Sequence, residues 1–311
     1  MKTVNIRGLD ISQFSLGTVQ LGVNYGLANT VGVPSQEKAF ELLDAARRVG
    51  VNCLDTANAY GTSEQVVGDW HKATGGGMNI VSKFKVRDPA DPVGQFKAQL
   101  QLSQERLGKV AGYLFHDDKD LRAYGDALRE EFLRAKEDGK TSFVGASVYT
   151  ADDVEFMLEH HPWLEAVQLP MSVLDTRIAE RGLLEELRKR NIIVFVRSVF
   201  LQGMLCMDKA PEQHSFMQPS LDAIAEVARA GGLTMPQLAV AYIRDLPGVT
   251  SLVLGCEKAE QVVDNANLIN TRPLTAAEMD AIAEIGRKAP IERTMEVIRG
   301  VKWDPKTGKA K

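Results

Sequence analysis

The chain has 311 residues, 44% of them hydrophobic and 25% charged, with a formal net charge of −4. This is the composition of a globular chain with a large core, not of a disordered or fibrous one. The only basic run is the C-terminal KTGKAK, so nucleic acid is not an expected partner. The three cysteines, Cys53, Cys206 and Cys256, have no CxxC spacing, and their odd number argues against a disulfide framework. A reducing cytoplasm fits them. The opening MKTVNIRGLDIS lacks the apolar core of a signal peptide. No stretch approaches the ~18 consecutive apolar residues of a membrane span.

Strand-like and helical patterns alternate along the chain. MKTVNIRGLDIS reads as a small hairpin ahead of them, placed to plug the N-terminal end of a barrel. FSLGTV (14–19) is strand-like, and residues 35–50 read as a helix with a Ser cap and a terminal Gly. CLD (53–55) is a short strand, followed by a helix over 63–72. Then come a strand at 79–84, a helix near 94–107, a strand at 112–116 and a helix near 121–138. The next pairs are 142–148 with 151–161, and 166–171 with one helix over 179–191. The strand 192–198 precedes two helical patterns, near 219–230 and 236–244. The strand 251–255 precedes a helix over 258–268, and a last helix spans 275–286. The tail after 288 is expected to be irregular and in part mobile.

Eight strand–helix units of about 30 residues predict a parallel sheet closed into a single (β/α)8 barrel, one domain over 1–311. The strands are short and apolar, as when both faces are buried. No GxGxxG follows a strand, which counts against a dinucleotide-binding open sheet.

In a barrel, reactive side chains stand at the C-terminal ends of the strands. The second barrel strand ends at Asp55, with Tyr60 in the loop behind it. The third carries Lys83, and the fourth ends at His116. Each has a bland reading: a turn cap, an amphipathic lid, a solvated lysine beside Lys85, a surface histidine next to DDKD. A lysine inside an apolar strand still needs a partner. Together the four suit protonation of a carbonyl oxygen. A nearby cation lowers a phenol's pKa, so Lys83, held charged by Asp55, is expected to make Tyr60 a usable general acid. A neutral His116 would orient the carbonyl.

These positions lie within LGTVQLG (16–22), CLDTANAYG (53–61), IVSKF (80–84), YLFHDD (113–118), GKTSFVGASVYT (139–150), AVQLPMSVLD (166–175) and VLGCEKAEQVVDN (253–265). Over roughly residues 10 to 287 the sequence resembles an aldo-keto reductase. The resemblance implies NADPH-dependent reduction of an aldehyde or ketone on a (β/α)8 barrel, with Asp55, Tyr60, Lys83 and His116 as the catalytic tetrad. It implies cofactor contacts at Gly17, Thr18, Asp55, Ser147, Gln168, Arg197, Ser198, Gly255, Lys258, Gln261 and Asn265.

The chain departs from the family pattern at three places. Val148 stands where an Asn next to Ser147 is usual. Arg197 stands where an aromatic residue usually stacks on the nicotinamide ring. It could stack there itself, bind an anionic substrate or the pyrophosphate, or merely pair with a neighbouring carboxylate. Glu257 replaces the usual Arg at the 2′-phosphate, with Lys258 beside it. NADP(H) is favoured and NAD(H) stays open.

A cofactor-sensing regulatory subunit is the alternative from another class, and the complete tetrad argues against it. A third reading, a Schiff-base enzyme using Lys83, has no use for the Asp–Tyr pairing. No metal is expected, because His160 and His161 point apart at a helix end. The three tryptophans (Trp70, Trp163, Trp303) read as packing. The expected partner is a small carbonyl substrate, with neither nucleic acid nor membrane, and the expected state is a monomer. Tyr25, Phe216 and Met217 are candidate walls of the substrate pocket.

Overall fold

The computed structural model describes residues 1–25, 32–298 and 300. Eight parallel strands close into a barrel: β3 (Phe14–Gly17), β4 (Cys53–Asp55), β5 (Asn79–Phe84), β6 (Gly112–Phe115), β7 (Phe143–Ser147), β8 (Ala166–Pro170), β9 (Ile193–Arg197) and β10 (Ser251–Gly255). β10 pairs with both β3 and β9, which completes the ring. The fold is the (β/α)8 barrel that the alternating pattern predicts. No described helix is long and apolar enough to cross a membrane.

The predicted hairpin is present ahead of the barrel as β1 (Thr3–Ile6) and β2 (Leu9–Ser12). Arg7 and Gly8 turn the chain with φ of 52° and 77°, the backbone of a tight two-residue hairpin. Arg7 then pins the hairpin under the barrel. Its Nη1 donates to Glu165 Oε1 at 2.8 Å and its Nε to the Asn191 carbonyl at 2.9 Å, just ahead of β8 and β9. Ile11, 1% exposed, packs against the barrel interior and closes the N-terminal end.

Strand side chains alternate between two faces, so the two cores can be read residue by residue. Cys53, Val81, Leu114, Phe143, Ala166 and Phe195 fill the barrel. Leu54, Ile80, Phe84, Tyr113, Phe115 and Val167 face the helices. That parity carries the site, because two positions past five of these six inward residues, at the C-terminal rim, stands a polar one, and β7 reaches its polar residue, Ser147, four positions past Phe143. Cys53 gives Asp55, Val81 gives Lys83, Leu114 gives His116, Ala166 gives Gln168 and Phe195 gives Arg197. Register then sets neighbours. Gly255 lies opposite Gly17 and Gly17 opposite Asp55, while Ser147 lies opposite Gln168.

The surrounding helices are α1 (Gln36–Arg48), α2 (Ser63–Thr74), α3 (Pro92–Leu107), α4 (Asp118–Glu137), α5 (Ala151–His160), α6 (Arg177–Glu180), α7 (Leu183–Lys189), α8 (Gln218–Ala230), α9 (Met235–Asp245), α10 (Ala259–Ile269), α11 (Ala276–Lys288) and α12 (Ile291–Ile298). Two expectations need correction. The single helix expected over 179–191 is divided, because Gly182 takes a φ of 69° between α6 and α7. The tail expected to be irregular after 288 forms α12. Its Ile291 and Met295 are buried, four residues apart on one face. Arg293 sits 4.0 Å from the ring centre of Phe216, in the loop that follows β9. Residues 26–31, which follow the candidate wall residue Tyr25, and residues 301–311, with Trp303, lie outside the described residues.

Candidate functional site

At the top of β4 and β5, Lys83 Nζ donates to Asp55 Oδ1 at 2.6 Å and to the Thr56 carbonyl at 2.9 Å. The two side chains are 1% and 8% exposed, so the pair is shut off from water. Gln168 Nε2 donates to the same Asp55 oxygen at 2.7 Å, so its amide NH2 belongs to this network. Lys85, the other lysine of VSKFK, pairs instead with Asp117 near the surface, at 2.8 Å.

The loop that carries Tyr60 is tied to the strand beside it. Thr56 N donates to Val81 O at 2.8 Å and Asn58 N to Lys83 O at 3.0 Å. Ser63 N then returns to Tyr60 O at 2.9 Å as α2 begins. From the other side Gly22 presses on the loop: a Cβ there would lie 1.9 Å from the Tyr60 carbonyl oxygen. Only glycine permits that approach. Thr18 is fully buried below it, its hydroxyl 2.8 Å from both the Asp55 carbonyl oxygen and Ser63 Oγ. Thr18 holds the strand ends together and does not line the cavity.

The Tyr60 ring stands edge-on to His116, centroids 5.4 Å apart, with Lys83 Nζ 5.0 Å from the Tyr60 centroid. Burial pulls the His116 imidazole down to about 3, and the Lys83 cation adds to this, so it is neutral at working pH. Burial likewise pulls the Lys83 ammonium below its ordinary range, against the opposing pull of Asp55. Tyr60 departs from the expectation that Lys83 would make it more acidic. Burial, followed by the Asp55 carboxylate, pushes the phenol well above its ordinary range, and the cation that opposes them is Arg197. Asp55 neutralises the field that Lys83 was expected to supply. The result is a phenol that stays protonated.

Arg197, at the end of β9, stacks on Tyr149, with Cζ 4.4 Å from the ring centre. Its Nη2 donates to Val148 O at 3.1 Å. The Val148 side chain is buried in the core between barrel and helices, so it offers the cavity no replacement for an amide.

These groups border one cavity of about 590 Å³. It runs from Tyr60, His116 and Asp55, past Ser147, Gln168, Arg197 and Ser198, to Gln261 and Asn265 on α10. Gly17 and Gly255 also border it; Thr18, Lys83 and Lys258 do not. Of the three expected wall residues only Tyr25 lines it. Sequence reasoning missed Tyr149, Gln202 and Asp264. Tyr149 lies two positions beyond Ser147, and strand parity was the signal that could have found it. Among the described residues no cluster of His, Cys, Asp or Glu could hold a metal ion.

The model of the aldo/keto reductase family matches residues 13–287. The chain belongs to the aldo/keto reductase family. It is an NAD(P)H-dependent enzyme acting on CH–OH and C=O groups. An uncharacterized oxidoreductase YqkF of Bacillus subtilis is 25% identical over 298 residues, covering 88% of this chain and 92% of that protein. The aldo-keto reductase AKR11C1 from Bacillus halodurans, in its holo form, superposes with a TM-score of 0.77 at 22% identity, over 92% of this chain and 96% of that one. An aldo/keto reductase from Klebsiella pneumoniae in complex with NADP and acetate gives 0.69 at 22% identity, over 93% and 95%. At these identities the solved structures speak for the fold.

The cavity of this reductase fits a long dinucleotide. Its volume lies within the ~300–1,000 Å³ of ligand pockets. Its wall is largely apolar, with Val19, Val199, Phe200, Val253 and Leu254, and is set with the side-chain amides of Gln168, Gln261 and Asn265 and the Ser147 hydroxyl, with glycine where strands meet. At Gly255 a Cβ would lie 2.3 Å from the Gln20 amide, so any larger residue would crowd this end of the cavity. Gln261 Oε1 is committed to the backbone N–H of Glu257, at 2.6 Å, which leaves its NH2 toward the cavity.

Proposed function

We propose that this enzyme reduces an aldehyde or ketone to an alcohol, with Tyr60 as the proton donor. The observation that carries this reading is the rim arrangement. A phenol kept protonated and an imidazole kept neutral stand together above a buried Asp55–Lys83 pair. A dihydronicotinamide cofactor, when bound, would supply the hydride that the carbonyl carbon accepts. The neutral His116 donates a hydrogen bond that fixes the carbonyl oxygen. Tyr60 Oη gives its proton to that oxygen as negative charge develops there, and the C=O π bond becomes a C–O–H. Lys83, held by Asp55 and the Thr56 carbonyl, anchors the base of the loop, while Arg197, the cation that opposes the upward shift of Tyr60, stabilises the phenolate left behind, which solvent reprotonates. Ser147, Gln168 and Asn265 would hold the cofactor amide and adenine ends.

NADP(H) is the proposed cofactor, in keeping with the resemblance. A second reading, NAD(H), is favoured by a specific observation. Glu257 and Asp264 line the far end of the cavity and Lys258 does not, and two carboxylates repel a 2′-phosphate. The same proposal takes the protein as one barrel domain, a cytoplasmic monomer. Its three free cysteines, two of them buried, support a reducing compartment.

The test is turnover of NADPH and NADH with a carbonyl panel across pH. Because Tyr60 is pushed up and His116 down, both stay in their working forms. The reduction rate should therefore be flat from about pH 5 to about pH 9. An acid limb near pH 6.5, the ordinary histidine value, would mean that His116 charges and that its assigned role is wrong.

A further inference from the structure

Beside the main cavity lies a recess of about 260 Å³, lined by Tyr25, Tyr149, Arg197, Ser198 and Gln202, with Leu201, Met295 and Ile298 as its apolar wall. Tyr25, Tyr149, Arg197, Ser198 and Gln202 also border the main cavity, so the two spaces communicate around the guanidinium. The proposed chemistry does not use this recess.

Its wall is polar where it meets Arg197. The guanidinium has five N–H donors. It spends one on Val148 O and has a long contact, 3.5 Å, with Ser198 Oγ. Among the described residues no carboxylate pairs with it. The bland reading of Arg197, a cation matched to a neighbouring acid, is therefore not what the structure has. Its charge also acts on Tyr60, His116 and Lys83, which places it near the reacting group. On the far side Gln202 Nε2 donates to the Tyr25 hydroxyl at 3.3 Å, joining the loops after β3 and β9 across the mouth.

The backbone here is held at a cost. Ser198, Leu201 and Gln202 have φ of 62°, 48° and 56°, a conformation unfavourable for residues with a Cβ. Three such residues within five positions aim the Ser198 and Gln202 side chains at the recess. Strain of this kind persists where the surroundings over-determine it, commonly at ligand sites.

We propose that this recess is an anion subsite. The preferred substrates would be short aliphatic aldehydes or ketones bearing a carboxylate or phosphate, gripped by Arg197 while the carbonyl meets Tyr60 and His116. Leu201, Met295 and Ile298 would pack the carbon chain. This rests on the reductase reading for the carbonyl end, and on the recess alone for the anion.

Matched pairs test it: 4-oxobutanoate against butanal for a carboxylate, and glyceraldehyde 3-phosphate against glyceraldehyde for a phosphate. The wild type should favour at least one anionic member by about 10-fold or more in kcat/KM, as a charge-assisted bond would give. Arg197→Met should bring that ratio toward one, mainly through KM, and Arg197→Lys should keep part of it. The pair showing the effect identifies the anion. No anion preference in the wild type, or a ratio that survives Arg197→Met, overturns the proposal. Calorimetric binding of succinamate, with butanamide as its neutral control, needs no turnover. Succinamate binding that depends on Arg197, with no carbonyl reduced, would keep the subsite and remove the reductase reading. Equal binding of succinamate and butanamide would remove the subsite.

Discussion

Tyr60→Phe is expected to lower kcat/KM for carbonyl reduction by about 10²–10⁴-fold, the usual contribution of a general acid, with cofactor affinity nearly unchanged. The hydroxyl is the only group removed. The ring stays edge-on to His116, and the loop stays tied by the amides of Thr56, Asn58 and Ser63. The fold should not notice the change, so circular dichroism and the unfolding midpoint are the controls. Loss of stability in place of loss of rate would mean that Tyr60 is an amphipathic lid and no more. A rate within about threefold of wild type, below what general-acid catalysis contributes, would move proton donation to another group.

Lys83→Met should act on both activity and stability. It leaves the Asp55 carboxylate in a site where the pair is 1% and 8% exposed, with one hydrogen bond from Gln168 remaining. Removing one partner of a buried ion pair costs about 3–5 kcal/mol. Denaturant unfolding should show a loss of that order. Adding Asp55→Asn to Lys83→Met should recover part of it, because an amide needs no counter-charge. If the double variant is as unstable as the sum of the singles, the two residues are not coupled and the pair is not what holds this rim. Activity should stay low in the double variant, since the Nζ that ties the strand end to the Thr56 carbonyl at the base of the Tyr60 loop is gone.

Much of this site is written in the order of residues along each strand. Period-two alternation buries Cys53, Val81, Leu114 and Phe195 inside the barrel, and so brings Asp55, Lys83, His116 and Arg197 to one rim. That is why the eight strands and the convergence of the tetrad are legible without coordinates. What escapes is whatever depends on neighbours distant in sequence. The direction of the Tyr60 shift is set by how deeply Gly22 and α2 bury the loop, and by Asp55 cancelling Lys83. Neither is visible in CLDTANAY. The docking of α12 depends on Phe216, far back in the chain. Thr18 sits in a motif that suggests ligand contact, yet its hydroxyl is consumed by Asp55 and Ser63. The charge at the adenosine end was legible as composition, Glu257 beside Lys258, but not as geometry, because only one of the two lines the cavity.

In the proposed reaction hydride and proton meet at a carbonyl above the Asp55–Lys83 pair. The most direct measurement uses cofactor deuterated at the transferring C4 position with an aldehyde that the wild type consumes. The product should carry one deuterium on its carbinol carbon and a solvent-exchangeable proton on its oxygen, and product formation should collapse in Tyr60→Phe. Cofactor held tightly with no label passed to any carbonyl would contradict this reaction and leave a cofactor-binding barrel that does not reduce.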